Sequence, residues 1–250
     1  MMIIIYICTF LLGASLASYI NATIYRIEKK TKYPEIFTQS SYCENCKKEL
    51  KWYELIPILG YVIIKGKCSK CGEKINIYYP LSELLLGTGF LLFFIFSVPF
   101  YYWILFIFLF ILSFHDILYR GVPKSLTHMF LLLCLLIFLF YNINISSIIA
   151  MVVVVGMLLI LMVVMKNSFG MGDILLLVGM GIALSYQNFL TMFWLSIITS
   201  LLYSVLYIII KKKKLKGVKI PMVPFFTLSF LFSVIYGEKI IDFILNRILL

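Results

Sequence analysis

The stretch ISSIIAMVVVVGMLLILMVVM, residues 145–165, contains no charged side chain and decides the class of fold. A transmembrane helix needs about 20 consecutive apolar residues, so this stretch can cross a bilayer. Similar runs fill much of the chain, because 63% of its 250 residues are hydrophobic and only 13% are charged. Soluble domains are about half apolar and a quarter charged. The composition therefore excludes a soluble fold and predicts an all-α polytopic membrane protein.

Counting outward from this stretch predicts about eight transmembrane helices, at residues 2–25, 81–99, 100–114, 126–141, 145–165, 173–184, 189–210 and 222–236. The polar segment between the first two runs is the only sizeable one. We therefore predict three domains: a first transmembrane helix (1–25), a small cytoplasmic domain (26–79) and a main membrane domain (80–250).

Basic residues predict the orientation, because Lys and Arg near helix ends stay on the cytoplasmic side. With the N-terminus outside, 20 of the 22 basic residues fall in cytoplasmic segments. The net charge of +11 then indicates anionic lipid headgroups as partners, and no nucleic acid. A cleavable signal peptide is the alternative for the first run, but basic residues follow that run rather than precede it.

Four cysteines in the polar segment form two CxxC pairs, Cys43 with Cys46 and Cys68 with Cys71. Two such pairs match a tetrahedral structural zinc site, and bound metal would stabilise a loop too small to fold alone. Two disulfides are the alternative, although the predicted cytoplasmic location disfavours them. Between the pairs lies KWYELIPILGYVIIKG, residues 51–66, which is either an interfacial membrane segment or a packed strand of the zinc domain.

The chain has only three aspartates, and two of them, Asp116 and Asp173, stand at the ends of apolar runs. The predicted topology places both at the cytoplasmic border of the membrane, where an ionisable residue is costly and indicates function. Two carboxylates can divide the work of general base and general acid, as in aspartic proteases. We therefore interpret these two residues as a catalytic pair.

The glycines that precede Asp173 fit this interpretation, because Gly170 and Gly172 let an extended substrate backbone come close. A helix N-terminus favours negative charge, so Asp173 is predicted to be the ionised base and Asp116 the protonated acid. A non-catalytic interpretation stays open, in which Asp173 is merely the N-cap of a helix and Asp116 a polar cap near a turn.

Five blocks of sequence occur in a specific order: GASLASYINATIYR (13–26), the two CxxC pairs with KWYELIPILGY between them (43–71), YYPLSELLLG (78–87), Asp116 followed by GMGD (170–173), and KIPMVPF (219–225). In this order they resemble the type IV prepilin peptidases over nearly the whole chain. The residues that match the family's catalytic pair are Asp116 and Asp173.

The resemblance implies a GxGD intramembrane aspartic protease of the bacterial cytoplasmic membrane, with eight helices. Such enzymes cut the basic leader from type IV prepilins, or from related competence and secretion pseudopilins, after a glycine. Many also methylate the new N-terminus with S-adenosylmethionine, an activity associated with the cysteine loop and its flanking helices. Because a cationic cytoplasmic face does not attract a cationic leader, we infer that recognition rests on the apolar helix of the substrate. Acidic loop residues are the candidate contacts for the leader, namely Glu44, Glu49, Glu54 and Glu73.

The chain departs from the family pattern at two places. Glu44 stands where members commonly have proline, which leaves zinc ligation intact, and Ile77 or Tyr78 stands where they commonly have a basic residue. The second departure favours proteolysis over methyl transfer as the retained activity. Two other classes stay open: a presenilin-type protease, which lacks the four-cysteine loop, and a non-catalytic zinc-stabilised scaffold or proton-coupled transporter.

Overall fold

A computed structural model of the chain describes residues 2–141, 145–164, 170–211 and 220–248. A single 3-10 turn, Trp52–Glu54, is found within these ranges, which are otherwise dominated by α-helices. The helices are α1 (Met2–Glu28), α2 (Glu35–Thr38), α3 (Leu59–Ile63), α4 (Tyr78–Ile95), α5 (Phe100–Tyr119), α6 (Lys124–Tyr141), α7 (Ile145–Val164), α8 (Met171–Ala183), α9 (Tyr186–Lys211) and α10 (Val223–Ile248).

Each of the eight predicted apolar runs coincides with a helix, since α1 and α4 to α10 follow the runs in order. In the described parts of the chain, six helices are long and apolar enough to cross a membrane, namely α1, α4, α5, α6, α7 and α9. Helix α8 is apolar but has only 13 residues, and α10 carries charged residues in its second half. The all-α membrane fold is confirmed, while the number of crossings stays a prediction.

The chain divides into two compact units, Met1–Ser97 and Val98–Leu250. In the first unit α1 packs along α4. The two helices approach closely because each has a glycine at the contact: a Cβ on Gly13 would lie 2.7 Å from the carbonyl oxygen of Leu86, and one on Gly87 would lie 2.9 Å from the ring of Phe10. Small residues at such crossings are typical of packed membrane helices. The finer division at residues 25 and 79 stays a prediction.

In the second unit, six helices pack in a closed ring, in the order α5, α6, α8, α7, α9, α10 and back to α5. Large apolar side chains fill its core, and the fully buried ones include Phe106, Phe130, Phe189 and Phe230. A buried hydrogen bond joins the first and last helices of the ring, because the hydroxyl of Thr227 on α10 donates to the carbonyl of Leu109 on α5 at 3.1 Å.

Candidate active site and metal site

Asp116 lies in the last turn of α5, which ends at Tyr119. The residue is buried, with 7% of its surface exposed. Its Oδ2 accepts a hydrogen bond from the backbone N–H of Val223, at 3.3 Å. Val223 is the first residue of α10, where backbone N–H groups have no partner within the helix. The start of α10 therefore holds the Asp116 carboxyl group in place.

Asp173 is the third residue of α8 and interacts electrostatically with Asp116. The N-cap of α8 is Gly170, so the interpretation of Asp173 as the N-cap is wrong. The half-buried carboxylate instead folds back over the helix start, because a Cβ on Gly170 would lie 3.1 Å from Oδ2 of Asp173. The two predicted aspartates are thus within electrostatic range of each other, although 57 positions separate them in the sequence.

The two predicted glycines have different surroundings. An alanine at Gly170 would press on the Asp173 carboxylate, so this glycine leaves room for that group. Among the described residues, a Cβ at Gly172 would meet only Val122, at an ordinary 3.7 Å. Packing against these residues therefore does not require a glycine at this position. The same contact places the connection after α5 against the first turn of α8.

Sequence reasoning missed the backbone donor of Val223. The residue lies in the block KIPMVPF, to which we assigned no role, and it is 107 positions from its acceptor. Prolines at 221 and 224 were the available signal, since proline is common where a helix begins. A helix start can present a backbone N–H to a carboxylate.

The four loop cysteines form one cluster, with their sulfur atoms all within 4.8 Å of one another. The two CxxC turns have the same backbone geometry. In each turn the fourth residue after the first cysteine has a left-handed backbone conformation, with φ 57° at Lys47 and φ 70° at Gly72. Its N–H donates to the carbonyl of that first cysteine, at 3.0 Å in both turns. Both turns therefore present their two thiols in the same way.

The sulfur spacing fits a tetrahedral metal site. Cys43 and Cys71 are 3.8 Å apart at Sγ, as are Cys46 and Cys68. A tetrahedron with metal to sulfur distances of about 2.3 Å has an edge of about 3.8 Å. A disulfide needs about 2.0 Å, and all four cysteines are unpaired. Backbone N–H groups of Cys71 and Lys70 lower the pKa of the Cys68 thiol to about 6. At Cys71 a backbone N–H bond is outweighed by burial and the neighbouring thiols, which raise the pKa of that thiol to about 11. The cluster thus stabilises a thiolate at Cys68, which is the form that binds metal. The cluster could therefore hold a metal ion such as zinc.

A buried ion pair supports the same loop. Glu54 accepts bonds from Lys48 Nζ at 2.9 Å and from the Lys51 backbone N–H at 2.7 Å. The hydroxyl of Ser69 also donates to it, which links the carboxylate to the second cysteine pair. Only 8% of Glu54 is exposed. The inference that Glu54 contacts a leader is therefore wrong, because its carboxylate is already bound inside the loop.

The other three acidic residues of that inference, Glu44, Glu49 and Glu73, are exposed. Glu44 accepts a hydrogen bond from the hydroxyl of Tyr79, at 2.8 Å. Their contact with a basic leader stays a prediction.

We expect Glu54→Gln to destabilise the loop by about 1–2 kcal/mol, because it removes the charge from the hydrogen bonds that the carboxylate accepts. Burial opposes ionisation of Glu54, yet the bonds from Ser69, Lys51 and Lys48 outweigh it and lower the pKa from 4.5 to about 2. The ionised group thus stabilises the folded loop above pH 4.5, and this stabilisation is lost as the pH falls towards 2.

Amide hydrogen exchange of the loop, corrected for intrinsic rates, measures this difference at each pH. The wild-type protein is expected to exchange more slowly than Glu54→Gln at neutral pH, and the two are expected to converge in acid. Glu49→Gln is the matched control, because Glu49 is exposed on the same loop. An equal effect of both substitutions would contradict the prediction.

Comparisons with known proteins cover both units. Residues 11–97 match the Bacterial Peptidase A24 N-terminal domain, and residues 103–205 match the Type IV leader peptidase family. The first match ends at residue 97, where the first compact unit also ends. No solved structure gives a significant match to the chain.

Several curated relatives carry the name prepilin leader peptidase/N-methyltransferase. The protein from Klebsiella pneumoniae is 34% identical over 33% of this chain, and the match spans only 38% of that relative's length. The proteins from Legionella pneumophila and Bacillus subtilis are each 26% identical, over 95% and 86% of this chain and over 93% and 88% of their own lengths. Two adjoining family domains and near full-length relatives lead to one conclusion: the chain belongs to the type IV leader peptidase family.

Proposed function

We propose that the chain is an intramembrane aspartic endopeptidase that removes the N-terminal leader from type IV prepilins or pseudopilins, with Asp116 and Asp173 as its catalytic pair. The observation that carries the proposal is the contact between Val122, just after α5, and Gly172 in the first turn of α8, which leaves the two carboxyl groups within electrostatic range of each other. The substrate class rests on the names of the relatives.

In the proposed mechanism, the ionised Asp173 accepts a proton from a water molecule whose oxygen attacks the scissile carbonyl carbon. Asp116 donates its proton to the carbonyl oxygen to give a gem-diol intermediate. As the C–N bond breaks, the leaving amine takes the proton from Asp173, and Asp116 regains a proton from a hydroxyl of the gem-diol as the new carboxyl group forms. The helix ends support this division, since the start of α8 favours a negative charge and the end of α5 disfavours one. Val223 orients Asp116 through its N–H.

We further propose that the chain lies in the bacterial cytoplasmic membrane with its N-terminus outside and the four-cysteine loop in the cytoplasm. Both aspartates then lie at the cytoplasmic border, where a basic leader meets an apolar transmembrane helix in the substrate. Cys43, Cys46, Cys68 and Cys71 would bind one structural Zn²⁺ ion, which stabilises the loop and takes no part in hydrolysis.

Methyl transfer from S-adenosylmethionine is the second proposed activity, which the relatives' names support. One feature of the first unit fits a polar cofactor near α1 and α4. The side-chain oxygen of Asn21 is buried and has no hydrogen-bond partner among the described residues, while its nitrogen donates to Ser82 at 2.6 Å. Such an acceptor could bind an amino group, which makes Asn21 our first candidate contact for the cofactor.

Mass spectrometry of a processed prepilin tests both activities. We expect the purified chain in lipid vesicles to release the leader after its last glycine, because the substrate's apolar helix holds that bond at the membrane border. With S-adenosylmethionine added, the mature N-terminus is expected to gain one methyl group. An intact prepilin would contradict the peptidase proposal, whereas cleavage without any methylation would contradict the second activity alone.

A further inference from the structure

Five apolar side chains between the two cysteine pairs are exposed by 45–77%, namely Trp52, Leu55, Leu59, Val62 and Ile63. We call them the loop patch. Three of them follow the spacing i, i+3, i+4 and so share one face of α3. Exposed apolar groups at this density, outside the membrane-spanning helices, indicate an interaction surface.

The loop patch is built on a fixed backbone. A Cβ on Gly60 would overlap the carbonyl oxygen of Glu54, so α3 packs directly against the 3-10 turn. The buried Glu54 holds that turn to the cysteine pairs through Lys48 and Ser69. Residues 59–63 are helical, so the prediction that this stretch is a packed strand of the zinc domain is wrong.

A hydrogen bond holds the loop patch near the membrane-spanning part of α4. The backbone N–H of Ile58, the residue before α3, donates to Oε2 of Glu83 at 2.7 Å. Glu83 is buried and is the sixth residue of α4. Its position lies about 7.5 Å along the helix from the start, at 1.5 Å per residue.

The length of α4 then places this contact within the membrane border. Its 18 residues span about 27 Å, which is close to the roughly 30 Å hydrocarbon thickness of a bilayer. Almost the whole helix is needed to cross, so Glu83 and the attached Ile58 lie within about 10 Å of the edge of the hydrocarbon, which is the depth to which interfacial segments insert. The exposed side chains of α3 are at the same level, because α3 begins at the next residue.

The charges around the loop patch favour a lipid surface as its partner. Lys51, Lys65 and Lys67 are exposed and flank the patch on both sides in the sequence. The acidic residue within the segment, Glu54, is turned inward. An apolar face with a basic rim matches the interface of a bilayer that contains anionic lipids, where Trp side chains are also enriched.

We propose that the loop patch inserts into the bilayer interface on the side where α4 begins, with Glu83 as the residue that positions it. The partner is the lipid itself. The four-cysteine loop is thereby fixed on the membrane surface, rather than suspended in water by its two ends. This inference does not depend on catalytic activity.

The intrinsic fluorescence of Trp52 tests the proposal in the full chain. Trp103→Phe and Trp194→Phe leave Trp52 as the only tryptophan. In vesicles of phosphatidylethanolamine and phosphatidylglycerol, we expect lipids brominated near the glycerol end of their acyl chains to quench its emission at least twofold. In the control, Trp52→Phe and Glu73→Trp move the single tryptophan to an exposed polar position on the same loop, and little quenching is expected. Equal quenching at both positions, or none at Trp52, would overturn the proposal.

Two further measurements guard against misfolded variants. In the unmodified chain, a phospholipid with a photoactivatable acyl chain is expected to label the peptide 52–63 and not the peptide 67–77, and the reverse would overturn the proposal. Glu83→Leu removes the acceptor for Ile58 and is expected to reduce the quenching of Trp52, whereas Glu83→Gln keeps an acceptor and is expected to retain it. Unchanged quenching in Glu83→Leu would overturn the positioning role of Glu83.

Discussion

Asp116→Asn and Asp173→Asn are each expected to lower the rate of leader cleavage at least about a thousandfold, because each removes a group that transfers a proton in the transition state. Asparagine keeps the shape of aspartate. In Asp116→Asn it also keeps an oxygen that can accept the N–H of Val223, so α10 stays anchored to α5. The loss therefore reports on proton transfer rather than on packing. The measurement is the rate of prepilin cleavage by purified protein in vesicles.

Asp242→Asn is the matched control, because Asp242 is the third aspartate of the chain. Its carboxylate accepts a hydrogen bond from the side chain of Gln187 on α9, at 3.1 Å, and neither residue belongs to the proposed site. Wild-type activity is expected in this variant. If Asp116→Asn and Asp173→Asn still process prepilin while they elute as folded protein, the proposed catalytic pair is excluded.

Apolar runs predicted the existence of the helices better than their ends. The predicted last run stopped at residue 236, whereas α10 continues to Ile248. The extension carries charged residues at intervals, which end an apolar run but do not end a helix. The second run was predicted too long instead, because it was expected to reach Pro99 whereas α4 ends at Ile95. The helix cannot continue through Ser97, which has a left-handed backbone conformation with φ 51°. Hydropathy reports on surroundings, while local backbone geometry ends the helix.

The site residues that could be predicted were those with an unusual residue type at an unusual place. An aspartate beside hydrocarbon is costly unless it has a role, so its residue type indicates a functional site. Two CxxC pairs indicate a metal site through their spacing. Val223 could not be found in this way, since its contribution is a backbone N–H that any residue except proline would supply. Glu54 was misassigned because its charge was visible in the sequence, whereas its burial against Lys48 and Ser69 depends on the folded loop.

Cys46→Ser or Cys68→Ser is expected to weaken zinc binding by at least about a hundredfold. Binding of structural zinc releases roughly 10–16 kcal/mol, and an equal share for each of four thiolates is about 2.5–4 kcal/mol, or on the order of a hundredfold in affinity. The zinc content of purified protein, measured by elemental analysis, is then expected to fall from about one ion per chain to a small fraction. Cys8→Ser is the matched control, because Cys8 is an exposed residue of α1 far along the chain from the cluster.

Removal of zinc with a chelator is expected to unfold the loop in the wild-type protein, because the described loop has few buried apolar side chains to stabilise it. The readout is alkylation of Cys43, Cys46, Cys68 and Cys71, which metal protects and chelation exposes. Both cysteine pairs are expected to become reactive together, since each CxxC turn supplies two of the four ligands. Four thiols that react at full rate in untreated protein would contradict a metal site, and thiols that stay blocked until a reductant is added would indicate disulfides instead.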